Sequence, residues 1–254
     1  MFIRPIRLRS TLAVVAALAC CAALAPAQAQ ARPGSERPGD TWASLAALPD
    51  LLNAQWLPQG VPADEKAFMR TMAYPPLKPE FLADAKDAVA AILAGREELP
   101  TAHCGRAGMP RLAWRAYPLQ FMYAAGAVMI QNSVAETGTE MRLASNGDHP
   151  AALRDPDAIV IRQANGDARF VWEGDILVVD TIGAREEIDT FYGVPNDPDL
   201  HVVERYRLLD NDTLERISTI AAPTYFTAPW TVRTLYKRGP AQSLATAYCK
   251  DLPI

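Results

Sequence analysis

The chain has 254 residues, half of them hydrophobic, with 25 Lys and Arg against 29 Asp and Glu, for a net charge of −4. That length and apolar content suffice for a well-buried core and exclude a disordered or polyelectrolyte chain. The mildly acidic balance, with no Lys/Arg run, argues against nucleic acid as a partner, and beyond the N-terminal region no apolar run reaches the ~18–20 residues of a membrane-spanning helix.

The first element in chain order is an export signal. Arg4, Arg7 and Arg9 precede an apolar run from Leu12 to Leu24, and Ala27-Gln28-Ala29 supplies a small-x-small cleavage site. That order predicts a signal peptide over 1–29 and a periplasmic or secreted mature protein. A lipoprotein is the rival reading, since Cys20 and Cys21 sit late in the run, but Ala17-Leu18-Ala19 sets the branched residue one place off a good lipobox. Cleavage near Ala29 leaves Cys104 and Cys249 as the remaining cysteines. In an oxidising compartment they predict one disulfide, against the alternative of two buried thiols. On the chain-entropy account a bridge closing so long a loop stabilises by roughly 4–5 kcal/mol.

Residues 30–40, rich in Pro, Gly and charge, read as a flexible leader. Residues 41–110 read as a helical and irregular segment. Trp42 to Trp56 is weakly helical, a proline-rich stretch follows, and a clear helix runs from Pro79 to Gly95. In it Phe81, Leu82, Ala85, Val89, Ile92 and Leu93 recur at helical spacing, and proline suits the first turn.

From 111 to 254 the pattern changes to short strands. They are Leu119–Tyr123, Ala127–Asn132, Glu140–Ala144, Ala158–Gln163, Ala168–Trp172, Ile176–Ile182, His201–Leu208, Thr213–Ile220, Trp230–Tyr236 and Leu244–Cys249. Turn formers such as Asn165-Gly166-Asp167, Glu173-Gly174-Asp175 and Asp210-Asn211-Asp212 separate several of them. With no helix-length insertion between strands, the fold class is mainly β: an antiparallel up-and-down, lipocalin-like barrel with the N-terminal helix packed outside.

The segment Trp172–Thr181, WEGDILVVDT, resembles the W-E-G-D-x-L-V-V-D-T signature of a family of exported bacterial proteins. Further stretches similar to that family keep its order. They are Pro75–Glu80 (PPLKPE), Cys104-x-x-x-Gly108-Met109-Pro110-Arg111, His201–Arg205 (HVVER) and Tyr225–Trp230 (YFTAPW). The chain departs just before the signature, where Asn165–Arg169 replaces a Gly-x-Ser-Ile-Gly run. The resemblance implies export and a β-rich fold, and carries no catalytic residue over.

The residues themselves offer two clues to chemistry. In His201–Leu208, Val202, Glu204, Tyr206 and Leu208 share the more apolar face, which turns Glu204 inward. On the same reasoning Asp180 alternates with Ile176, Val178 and Ile182 and is expected inside as well. Two carboxylates facing one cavity could serve as general acid and base, with His201 or Tyr206 as proton relay. The alternative is a structural ion pair with Arg142, Arg205 or Arg233. Tyr123, Trp172, Tyr206 and Trp230 read first as core, or as the lining of a cavity for an aromatic or lipophilic ligand. Tyr192 lies in the gap 186–200, a candidate lid.

His103, His149 and His201 have no metal-ligand spacing, so no metal is assigned. Neither a nucleotide fingerprint nor a Gly-x-Ser-x-Gly elbow occurs, and no cofactor is expected. Three functions remain: a cofactor-independent lyase, isomerase or hydrolase acting on a small aromatic or lipophilic compound, a non-catalytic binding protein for such a compound, or a structural envelope domain. The first is favoured here, because ionisable residues on apolar strand faces cost stability unless they are used.

Overall fold

Eight of the expected segments form strands in the computed structural model, which describes residues 48–240 apart from 53, 103–104, 135–137 and 156–160. They are β2 (Leu119–Ala124), β3 (Ala127–Val134), β4 (Gly138–Ser145), β5 (Asp167–Glu173), β6 (Ile176–Ile182), β7 (His201–Asp210), β8 (Thr213–Ala221) and β9 (Trp230–Pro240). A further strand, β1 (Ala54–Pro58), pairs with β9 from Ala54↔Pro240 to Pro58↔Tyr236 and meets β2 at Trp56↔Leu119. The sheet thereby closes into a barrel in the order β1 to β9.

Two expectations need correction. Ala54–Trp56 is strand rather than weak helix, so the barrel begins well before residue 111. The reason is tertiary: the free edge of β9 supplies backbone partners, and Trp56 is buried with its indole Nε1 donating to Leu51 O at 3.0 Å. The barrel is also mixed rather than wholly antiparallel, because β4 and β5 pair in parallel at Ala144↔Ala168 and Ser145↔Arg169. A parallel neighbour requires a crossover instead of a hairpin, and the long connection 146–166 supplies it. The expected strand Ala158–Gln163 falls on that connection. Residues 156–160 lie outside the described residues, and Gln163 makes only a single parallel bridge to Ala184. The signal segment, the leader, Cys104, Cys249, His103 and the strand Leu244–Cys249 also lie outside the described residues.

Three helices gather at one end of the barrel: α1 (Glu65–Thr71), α2 (Pro79–Leu93) and α3 (Arg111–Trp114). Asp64 caps α1, its Oδ1 accepting from Ala67 N at 2.7 Å, and Pro79 opens α2 at N1. Ala85, Val89 and Ile92 pack with Leu112, Trp114, Phe191 and Tyr192 in an apolar cluster that covers this end. At Gly193, whose φ is +68°, the loop 183–200 passes so close to α2 that a Cβ would lie 2.7 Å from Ala88 Cβ.

Inside the barrel the residues are layered. Val134, Val202, Ile220, Trp230 and Val232 belong to the cluster at the helical end. Ile130, Val179, Tyr206, Leu214 and Tyr236 belong to a second cluster at the other end. Between them, at the intervening inward positions of the same strands, stand Asn132, Arg142, Thr181, Glu204, Arg216, Ser218 and Thr234, all buried. The interior is thus a polar layer held between two apolar ones.

Candidate functional site: a buried ionic layer, an outer histidine–aspartate cluster and two clefts

Glu204 is 0% exposed, as the alternation along β7 predicts. Arg142 reaches it from β4, donating through Nη1 to Glu204 Oε2 and through Nη2 to Tyr206 OH at 3.2 Å. Tyr206 OH in turn donates to Glu204 Oε1 at 2.7 Å. A second guanidinium, Arg216, comes within 3.8 Å of Glu204 Oε1. Burial alone would push the Glu204 carboxyl up, but the charges of Arg142 and then Arg216 hold it below the usual range, so it stays ionised. Burial and the adjacent carboxylate push the Tyr206 hydroxyl above its ordinary value.

These charges also hold the segment 107–117, which enters the helical end of the barrel as a plug. Ala107 N and Gly108 N donate to the Glu140 carboxylate at 2.5 and 3.2 Å. Arg216 Nη1 donates to Leu112 O at 2.9 Å, and Arg142 Nη1 lies 3.6 Å from Met109 Sδ. One turn further out, Glu65 accepts from Arg111 Nη2 at 2.6 Å, from Arg115 Nε at 2.9 Å and from Tyr192 OH. Glu65 is 3% exposed. Arg115 stacks over Phe68, 4.2 Å from its ring centre. Sequence reasoning missed Glu65, Arg111 and Arg115. Glu65 sits in the first turn of a short helix, where an acid is ordinary, and the two arginines follow a proline in a stretch without periodicity. Only the fold brings them together.

Asp180 stands elsewhere, contrary to expectation. Val179 pairs with Glu204, so Val179 faces inward and Asp180 faces out. The alternation misleads because β6 is apolar on both faces, with Leu177 and Val179 inside and Val178 buried on the outer face. Outside, Asp180 Oδ1 accepts from His201 Nε2 at 2.8 Å and lies 3.3 Å from His149 Nε2. His149 Nδ1 contacts Asp167 Oδ1 at 2.7 Å, and Arg169 grips Asp167 through Nε and Nη2 at 2.7 and 2.9 Å. The hydrogen bond it donates to Asp180 raises the His201 imidazolium above its usual value. Asp180 itself is raised by partial burial, yet its bonds to His201 and His149 bring it below the usual range. The expected pair of Asp180 and Glu204 does not form; Asp180 instead meets His201 and His149 on the outer face, and these contacts fasten the crossover that carries His149 to the barrel wall. Among the described residues no cluster of His, Cys, Asp and Glu is arranged to hold a metal ion.

The aromatic positions also divide. Tyr123 and Trp172 form an edge-on pair, 5.9 Å between ring centres, at the end away from the helices. Tyr206 serves the ionic layer. Tyr192 is buried beneath Arg111, whose guanidinium carbon lies 4.9 Å from its ring centre, so the expected lid residue is part of the packed plug. A glycine-enabled approach to α2 and the bond to Glu65 hold it there. Trp230 lines an open cleft.

Two clefts adjoin at the plugged end. One, of about 480 Å³, is lined by Leu57, Val61, Ala116, Pro118 and Val134, with Glu65 and Arg115 in its wall. The other, of about 270 Å³, is lined by Phe68, Trp114, Phe191, Trp230, Val232 and Thr234. Val61 and Ala116 border both. Neither a family model nor a curated protein matches the chain. Among the described residues no helix is long and apolar enough to cross a membrane.

Proposed function

We propose that the protein binds a small lipophilic or aromatic molecule at the plugged end of its barrel. The observation that carries this reading is the pair of adjoining clefts, walled mainly by aliphatic and aromatic side chains and fixed from below by satisfied buried charges. Concave, mostly apolar sites with a few oriented polar groups are the usual form of small-molecule pockets. Acid–base turnover by Glu204 is the weaker reading. That carboxylate is sealed, is held ionised by two arginines, and has lost Asp180 as a partner. A ligand carrier in the periplasm or outside the cell also accords with the N-terminal export pattern.

The test is a titration with N-phenyl-1-naphthylamine, a neutral fluorophore, followed by energy transfer from Trp114 and Trp230. Saturable binding at one site is expected. Val61→Arg, at the partly exposed ridge between the clefts, should abolish it while circular dichroism and melting temperature stay unchanged. Undiminished binding by a folded Val61→Arg protein would remove the proposal.

A further inference from the structure

Resting on the binding reading above, we infer that the ligand carries a carboxylate, and that Arg216 receives it through the Nε–Nη2 edge of its guanidinium.

Arg216 is 0% exposed. Its Nη1 is committed to Leu112 O, but Nε and Nη2 have no hydrogen-bond partner among the described residues. Those two nitrogens form one edge of the planar group, the fork that fits a carboxylate in two parallel bonds. The same edge is used elsewhere in this chain. Arg169 clasps Asp167 through Nε and Nη2 at 2.7 and 2.9 Å, and Arg185 clasps Glu187 through the same pair at 3.1 and 3.1 Å. In Arg216 the fork is fully buried, where an unpaired donor edge is most costly.

Charge points the same way. Two guanidiniums, Arg142 and Arg216, face the single carboxylate of Glu204, and Arg142 takes the closer contact. Glu140, the other interior acid, is engaged by the plug through Ala107 N and Gly108 N. Two residues further along β8, on the same inward face, Ser218 Oγ also has no hydrogen-bond partner among the described residues.

Access comes through the smaller cleft. Thr234 is the direct cross-strand partner of Arg216, and it is the inner member of the cleft wall formed by Trp230, Val232 and Thr234 along β9. An aromatic body seated among Trp114, Phe191 and Trp230 would direct an acidic side arm past Thr234 to the fork. Val232 and Thr234 must turn aside for it. The ligand class is therefore an aromatic or alkyl carboxylic acid, bound as its anion.

Calorimetric titration of the full chain with 2-naphthaleneacetate, 2-naphthaleneethanol and acetate tests this. The acid should bind at least about tenfold more tightly than the alcohol, the worth of a charge-assisted pair of bonds, and acetate should not bind at millimolar concentration. Arg216→Gln should erase the advantage of the acid over the alcohol. If that variant does not fold, the carboxyl ¹³C resonance of the acid bound to wild-type protein serves instead, and it should titrate below the free acid. Equal affinity for acid and alcohol, or a bound carboxyl that titrates like the free one, would each overturn the carboxylate inference alone, whereas acetate binding as tightly as the naphthyl acid would overturn the lipophilic binding reading. Wild-type protein that binds neither naphthyl compound would remove the binding reading with it.

Discussion

Arg142 of β4 spans the barrel interior to Glu204 of β7, joining strands that are not neighbours through one buried ion pair. Because both side chains are sealed, neither can exchange its partner for water. Glu204→Gln should therefore leave Arg142 and Arg216 without a carboxylate and cost about 3–5 kcal/mol of stability. Denaturant unfolding checks this. A double replacement, Glu204→Leu with Arg142→Met, should be less damaging than Glu204→Gln alone, since it leaves one guanidinium, Arg216, without a carboxylate instead of two.

A second pairing decides how firmly the plug is held. Glu65 accepts from Arg111, Arg115 and Tyr192 at once. Tyr192→Phe removes one buried donor and should lower stability by about 1–2 kcal/mol. Glu65→Ala leaves two buried guanidiniums unpaired and should cost more, about 3–5 kcal/mol. Thermal melts of the two variants check the order, and equal effects would deny Glu65 its central place.

The outer cluster should give a bell-shaped contribution to stability. Asp180 is held below its usual range, so its share is present above the unfolded value of about 3.9 and is lost as pH falls through the lower folded value. His201 is raised, so its share is complete below the unfolded value of about 6.5 and is lost as pH rises through the higher folded value. The difference between wild type and Asp180→Asn should peak between about pH 4 and 6.5. With side-chain exposures of 40% for Asp180 and 45% for His201, solvent screening keeps it below about 1 kcal/mol. Unfolding at pH 3, 5.5 and 9 measures it, and an NMR titration should place the His201 midpoint above that of a free histidine.

Glycine at 193 is required for two reasons, a positive φ and the approach to Ala88. Gly60 shares the first, with φ of +68°, but a Cβ there would meet nothing within 4 Å. Gly60→Ala should cost about 1 kcal/mol from backbone strain alone. Gly193→Ala should cost clearly more, because α2 must also move. Comparing the two melting temperatures isolates the steric part.

The sequence by itself determined eight of the nine described strands and the inward turn of Glu204. On β7 the polar residues His201, Arg205 and Arg207 alternate with Val202, Tyr206 and Leu208, and only one face can be buried. The helix Pro79–Leu93 was equally legible, because its apolar spacing and its proline start are local properties. Asp180 was not legible, since β6 is apolar on both sides and its orientation is set by the register Val179↔Glu204 with the next strand. The tertiary structure alone decided that Ala54–Pro58 closes the barrel, that β4 and β5 run parallel, and that Glu65 meets Arg111 and Arg115. Those contacts join residues far apart in the chain, and the pattern around each residue is the same whether or not its distant partner exists. The open fork of Arg216 is likewise a matter of what surrounds it: the sequence places an arginine on a strand, and the folded barrel determines which of its nitrogens have partners.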